Sequence, residues 1–227
     1  MGRRSLSISF DLDGTLTTTS FADSVWLEGL PRLLAGKSGM SFESARQTCI
    51  EAYAGVGEDS LLWYRLPHWL GHFGLEGVDG DSFIEGFSSR VELFDDVLPV
   101  LEALREEGHD LVLFSNAARP FLNVEVARCA LEPYFAAIIS VSDDWGLVKS
   151  DPRAFLKLKS LAGPDLVHVG DHPRFDCQVP RSLGIPAYLV SRDHQPRPEG
   201  ALASLHEFLR LMRLAADPGP GRTNPPL

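Results

Sequence analysis

Ser5-Leu6-Ser7-Ile8-Ser9-Phe10-Asp11-Leu12-Asp13-Gly14-Thr15-Leu16-Thr17 reads as a short strand that empties into two carboxylates and a glycine turn. Side chains at i and i+2 of an extended chain point the same way. Asp11 and Asp13 therefore share a direction at the end of the strand. Such a pair can hold one hard cation and present one carboxylate as a nucleophile.

Further along, strand and helix signals alternate. Leu111-Val112-Leu113-Phe114 ends at Ser115-Asn116, and Ala136 to Val141 forms a second apolar run. Leu166-Val167-His168-Val169 ends at Gly170-Asp171, and Ala187-Tyr188-Leu189-Val190 is the last run. Short, nearly continuous apolar runs suit strands covered on both faces. Between them, Asp96 to Gly108, Pro120 to Leu131, Pro152 to Leu161 and Asp176 to Leu183 have helical spacing, with Gly108 a stop and Pro152 a first-turn residue. This alternation predicts an α/β fold: a Rossmann-like parallel sheet with right-handed crossovers, which binds ligands at the carboxyl ends of its strands.

Residues 18–90 break the pattern. Helical periods and Gly/Ser breaks replace β-branched runs, and Trp26, Trp63, Tyr64, Trp69 and Phe73 gather there. The expectation is a helical cap inserted into a core formed by residues 1–17 and 91–215. The Pro/Gly-rich residues 216–227 read as a flexible tail.

Composition removes several function classes. With 31 acidic against 21 basic residues the formal net charge is −10, unsuited to gripping a nucleic-acid backbone. A small anionic substrate must then be drawn in by a local site, against the global field. No run approaches the roughly 20 apolar residues of a membrane span. The N-terminal Met1-Gly2-Arg3-Arg4 introduces no signal peptide, and Leu6 stands where the myristoylation pattern needs Ser or Thr. Cys49, Cys129 and Cys177 form no CxxC pair and read as small buried hydrophobes. A soluble cytoplasmic protein is expected, with no nucleic-acid or membrane partner.

The strand ends carry complementary chemistry. Asp11 and Asp13 end the first, Ser115 and Asn116 the second, Lys149 follows the third, and Asp171 ends the fourth with Asp176 close behind. In a parallel sheet these ends converge. Carboxylates, a hydroxyl, an amide and one ammonium suit phosphoryl transfer through an aspartyl-phosphate. A carboxylate nucleophile divides the hydrolysis into two easier steps. The phosphate dianion repels that nucleophile unless a cation such as Mg²⁺ and a lysine neutralise it. A second carboxylate can protonate the leaving oxygen and later activate water.

Asp11-Leu12-Asp13-Gly14-Thr15, Ser115-Asn116, Lys149 and Gly170-Asp171 with Asp176, in this order, resemble the four motifs of the haloacid dehalogenase-like hydrolase superfamily, over nearly the whole chain. The resemblance implies Asp11 as nucleophile and Asp13 as general acid/base, with Asp11, Asp13 and Asp171 holding Mg²⁺, Asp13 through its backbone carbonyl. It implies Ser115, Asn116 and Lys149 as phosphate ligands and Asp176 as a helper of the metal shell. It further implies a helical-cap phosphatase acting on a small phosphorylated metabolite: short sugar or triose phosphates, phosphoglycolate-like acids and nucleotides are all compatible, with short sugar phosphates favoured. A sugar-phosphate mutase of the same fold and a non-catalytic phosphate-binding module are the alternatives. A dehalogenase normally lacks a carboxylate at the Asp13 position.

The chain departs from the family pattern at Ser150, where Lys-Pro-Asp-Pro is common, and at His172-Pro173 after Asp171. His172 is read as a supporting or surface residue. Taken alone, Asp-x-Asp-Gly could open a calcium loop, but Thr15, Leu16 and Ala22 occupy its fifth, sixth and twelfth positions. His68 and His72 share a helix face, but Trp69 stands where a zinc protease needs Glu, so both are read as cap histidines. Arg32, Arg46, Arg65 and Arg90 are candidates for reading a second anionic group on the substrate, with solvated positions as the default.

Overall fold

The computed structural model describes residues 5–192 and 196–216. Strand β1 (Ser7–Phe10) leads into α1 (Ser20–Asp23), a π-helical turn (Ser24–Gly29), α2 (Leu30–Ser38), α3 (Phe42–Val56), α4 (Leu66–His72) and α5 (Gly80–Glu85). The chain then alternates: α6 (Val97–Glu106), β2 (Asp110–Ser115), α7 (Arg119–Arg128), β3 (Ala137–Ser140), α8 (Val141–Asp144), α9 (Pro152–Ala162) and β4 (Leu166–Gly170). A second π-helical turn (Pro173–Gln178), α10 (Val179–Ser182), β5 (Ala187–Leu189) and α11 (Leu205–Ala216) follow.

The strands form one parallel sheet in the order β3-β2-β1-β4-β5. β1 lies at its centre, so Asp11 and Asp13 leave the middle of the carboxyl edge. Alternation along the strands feeds two cores. Ile8, Phe10, Leu111, Leu113, Val167 and Val169 face one, with α6 and α11. Val112, Phe114, Ile139 and Leu166 face the other, with Phe155 and Leu158 of α9. Both faces are covered, which is why the strands read as apolar runs rather than alternating ones.

Local signals account for most element ends. Ser41 and Asp79 accept from the backbone N–H of Ser44 and Ser82 at the starts of α3 and α5. Asp151 accepts from Arg153 N, with Pro152 in the first turn of α9. Gly108 follows α6 with φ +85, a conformation that favours glycine. The segment expected as a helix from Asp176 to Leu183 is helical but divided: a π-helical turn that starts at Pro173 runs into the short α10, where Pro180 has no N–H to donate. Helix α11, which the sequence reading did not anticipate, places Leu205, Phe208, Leu209 and Met212 on one face against the core. It ends at Ala216, so all but the first residue of the expected tail lies outside the described residues.

The helices between β1 and β2 have a core of their own, in which Phe21, Val25, Leu30, Cys49, Trp69 and Ile84 meet Phe121 of α7. The chain leaves and returns at one place: Thr18 N donates to Glu92 O at 2.9 Å, and Phe94 N to Leu16 O at 3.0 Å. A segment so closed can be helical whatever the sheet requires. Cys49, Cys129 and Cys177 are free thiols. Among the described residues no helix is long and apolar enough to cross a membrane.

Trp69 anchors this second core. It is fully buried, lies edge-on to Tyr53 with centroids 4.7 Å apart, and donates its indole N–H to Trp63 O at 3.0 Å. Trp69→Ala should destabilise the fold by about 3–5 kcal/mol, the cost of a large buried aromatic truncated to a cavity. Urea unfolding followed by circular dichroism measures it; a loss under about 1 kcal/mol would contradict this packing.

Candidate active site

The turn after β1 is built on Leu12, whose carbonyl accepts from Thr15, Leu16 and Thr17 N, while Gly14 N donates to Thr17 O at 2.7 Å. Gly14 has φ +75, and a Cβ there would overlap the Asp171 carboxylate. The first motif thus needs glycine for both conformation and space. Gly170 is similar: a Cβ would overlap the Asp176 carboxylate. Thr17 donates its hydroxyl to Glu125 Oε2 at 2.6 Å, pinning the turn to α7.

The residues expected at the site converge. Asp11, Asp13, Ser115, Asn116, Lys149, Asp171 and Asp176 all line one cavity of about 510 Å³. Lys149, buried, bonds Asp11 Oδ1 and, at 2.8 Å, Asp176 Oδ1. Ser115 accepts from Ala117 N at 3.0 Å. Asn116 is committed on both sides: its carbonyl accepts from Lys149 N at 2.9 Å, and its amide donates to the Tyr64 hydroxyl at 3.0 Å. These two bonds hold the lysine loop to the helical segment, and Asn116 still lines the cavity. Asp176 accepts from Lys149 Nζ, from the His168 ring and, at 2.9 Å, from His172 N, so it orients the lysine as well as flanking the metal-capable cluster.

Several contributors were not legible as site residues. His168, fully buried in β4, lies 3.0 Å from Asp176 Oδ1 through Nε2 and 2.7 Å from Ser9 Oγ through Nδ1. Burial lowers its pKa, and the carboxylate beside it can only accept, so Nε2 carries the proton. The available signal was an imidazole inside an apolar strand run. Glu125 shares a helix face with Phe121 and Leu122, an acid on an apolar stripe. Tyr64 reaches the cavity from a 3-10 turn, Leu61–Tyr64, and His172, read from sequence as a supporting or surface residue, lines it from the loop after β4. His172 accepts from Phe175 N at 3.1 Å and lies 3.5 Å from Glu58 Oε1. His68 and His72 are on α4, outside the cavity lining, as are Arg32, Arg46, Arg65 and Arg90.

The electrostatics set the chemistry. Burial, and then the charges of Asp11 and Asp176, push Asp171 up to about 9. Burial and the charge of Asp11 push Asp13 up to about 7. Asp11 is raised too, burial outweighing the pull of Lys149. Burial alone would raise Asp176, yet Lys149 and His168 hold it well below the usual carboxylate range. Lys149, which burial alone would lower, is raised by Asp11 and Asp176.

One ammonium cannot neutralise this many buried carboxylates. Oxygens of Asp11, Asp171 and Asp176 lie within 4.8 Å of one another, and the buried Asp13 Oδ1 has no hydrogen-bond partner. An all-oxygen, acidic donor set of this kind fits a hard divalent cation. Asp11, Asp171 and Asp176 are the residues whose oxygens lie close enough together to hold it.

A family model described as haloacid dehalogenase-like hydrolase matches residues 7–184. The chain is 27% identical over 157 residues to the GMP/IMP nucleotidase YrfG of Escherichia coli, spanning 69% of this chain and 68% of that protein. It is 28% identical over 222 residues to the phosphoglycolate phosphatase of Caulobacter vibrioides, spanning 89% and 87%. In fold it is similar to a crystal structure of a HAD phosphatase from Thermococcus onnurineus, with a TM-score of 0.80, 24% identity, and coverage of 91% of this chain and 97% of that chain.

Gly14→Ala should cost about 1–3 kcal/mol, because φ is positive and the new methyl must displace Asp171. Chemical denaturation gives the value; wild-type stability in the variant would show that the turn tolerates a side chain.

Proposed function

This chain belongs to the haloacid dehalogenase-like hydrolases, and from that premise we propose that it is a Mg²⁺-dependent phosphatase. It hydrolyses a small phosphorylated metabolite through an aspartyl-phosphate on Asp11. The observation that carries the proposal is the division of the two motif carboxylates. Asp11 is ion-paired with Lys149, whereas Asp13, two residues on, has a free buried oxygen and a pKa pushed up to about 7.

Bound Mg²⁺ would supply positive charge to the phosphoryl oxygens and to the carboxylates that hold it. In the first step the Asp11 carboxylate attacks phosphorus, and the bond from phosphorus to the ester oxygen breaks. Asp13, protonated, gives its proton to the departing oxygen. In the second step Asp13, now ionised, takes a proton from water as that water attacks the aspartyl-phosphate. Phosphate leaves and Asp11 is restored. A pKa near neutrality lets one carboxyl serve in both directions. Lys149 offsets the negative charge where phosphate meets carboxylate. Ser115 donates its hydroxyl to a phosphoryl oxygen, and Asp176, steadied by His168, fixes the lysine.

Residues 18–90 act as a cap over the core of residues 1–17 and 91–215. The Tyr64–Asn116 hydrogen bond and the Asp59–Arg174 ion pair at 2.7 Å join the two across the cavity. Closure of such a cap keeps bulk water from the phosphorylated enzyme.

Asp11→Asn should abolish phosphate release from phosphate monoesters. Asp13→Asn should lower kcat by about 10²–10⁴-fold, the usual contribution of a positioned acid/base. A folded Asp11→Asn variant turning over at the wild-type rate would exclude the mechanism. Separately, saturating Mg²⁺ at about 100 times its Kd should stabilise the wild type by about 2.7 kcal/mol. Asp171→Asn should lose that increment in calorimetric melting; an equal Mg²⁺ effect in the variant would remove Asp171 from the metal site.

A further inference from the structure

The cavity above Asp11 has two unlike walls. The sheet edge supplies the acids and Lys149. The helical segment supplies Trp26, Leu27, Tyr53, Trp63 and Tyr64, to which α7 adds Phe121. These rings are held in place. Trp26 stacks on Phe121 at 5.2 Å and 15°, and Tyr53 lies edge-on to Trp26 at 6.0 Å and to Trp63 at 6.1 Å. Tyr53 donates its hydroxyl to Trp26 O, and Tyr64 donates to Glu58 O, both at 3.0 Å. The π-helical turn Ser24–Gly29 puts Trp26 and Leu27 together in the wall. Trp26, Trp63 and Tyr64 are half-buried, so ring surface remains exposed there.

The charges in this wall are equally one-sided. Asp23 and Glu58 line it, and among the described residues Lys149 is the one Lys or Arg in the lining, already bonded to Asp11 and Asp176. The arginines singled out in the sequence lie outside it. A second carboxylate or phosphate on the substrate would meet two acids and no Lys or Arg of its own, the one further basic group there, His172, being paired with Glu58 at 3.5 Å. A compact sugar phosphate would leave the aromatic wall facing water in a cavity of about 510 Å³. A flat uncharged ring would cover it, since stacking on fixed aromatics costs no reorganisation and is available to any π-face.

We propose that the leaving group of the substrate carries an uncharged planar ring system of nucleoside size, in preference to a bare sugar or a carboxylic acid. This rests on the phosphatase reading above and deepens it. It also replaces the expectation of a short sugar phosphate with a substrate class that the cavity wall selects.

Phosphate release from a nucleoside 5′-monophosphate, ribose 5-phosphate and phosphoglycolate, all at saturating Mg²⁺, tests it. The first two carry the same ester and differ in the base. The nucleoside monophosphate should have the higher kcat/KM by about tenfold or more, the size of one base–aromatic stack. Trp63→Ala should bring the ratio of the two toward one, and Trp63→Phe should restore most of it. Equal rates, or a preference for ribose 5-phosphate or phosphoglycolate, would overturn the inference while leaving the phosphatase mechanism intact. Calorimetric binding to the wild type separates the two failures. If no ester is hydrolysed, tighter binding of the nucleoside monophosphate than of ribose 5-phosphate still supports the recognition, and equal or absent binding overturns it.

Discussion

Lys149 lies between two buried carboxylates, and the rest of the site is arranged around that fact. A buried ammonium is costly unless it is paired, and a buried carboxylate is costly for the same reason. Placing Lys149 against Asp11 and Asp176 settles part of the account at once. It leaves Asp13 and Asp171 without an equivalent partner, and their pKa values climb accordingly. The surplus of buried carboxylates is what suits the cluster to a hard cation.

The scaffold beneath serves this arrangement. Ser9 and His168 are adjacent across β1 and β4 and form a polar seam on one face of the sheet. Phe155 lies edge-on to the His168 ring at 5.0 Å, so the imidazole is packed as well as bonded. The seam delivers one hydrogen bond to Asp176, which in turn steadies Lys149. Gly14 and Gly170 let the backbone come close enough for Asp171 and Asp176 to sit where they do. On the other side of the turn, Thr17 and Glu125 tie the motif to α7. The turn is thus held from the sheet, from a helix and from the returning strand of chain at Glu92 to Phe94.

The helical segment contributes a different chemistry. Its own core, centred on Trp69, closes on Ala118 and Phe121 at the start of α7 rather than on the strands. The segment packs Phe21 and Trp26 on Phe121 of α7, and its polar contacts with the site are Tyr64 with Asn116, Asp59 with Arg174, and Glu58 with His172. Exposed ion pairs of this sort contribute little each. The segment's aromatic wall lines the cavity opposite the acids.

The sequence by itself determined the parallel α/β architecture, the helical segment after the first strand, and the identity of the residues that gather at the carboxyl edge. It could do so because these depend on local signals. Apolar runs mark strands covered on both faces, glycine marks turns with positive φ, and polar residues at strand ends have one edge on which to meet. Only the tertiary structure decided which groups touch. That Asn116 is spent on Lys149 and Tyr64, that His168 reaches Asp176, and that Glu125 meets Thr17 across 108 positions depends on register and helix packing, which have no local signature. The same holds for the charge of the cavity wall. Arg32, Arg46, Arg65 and Arg90 were equal candidates along the chain, and folding placed none of them in the lining.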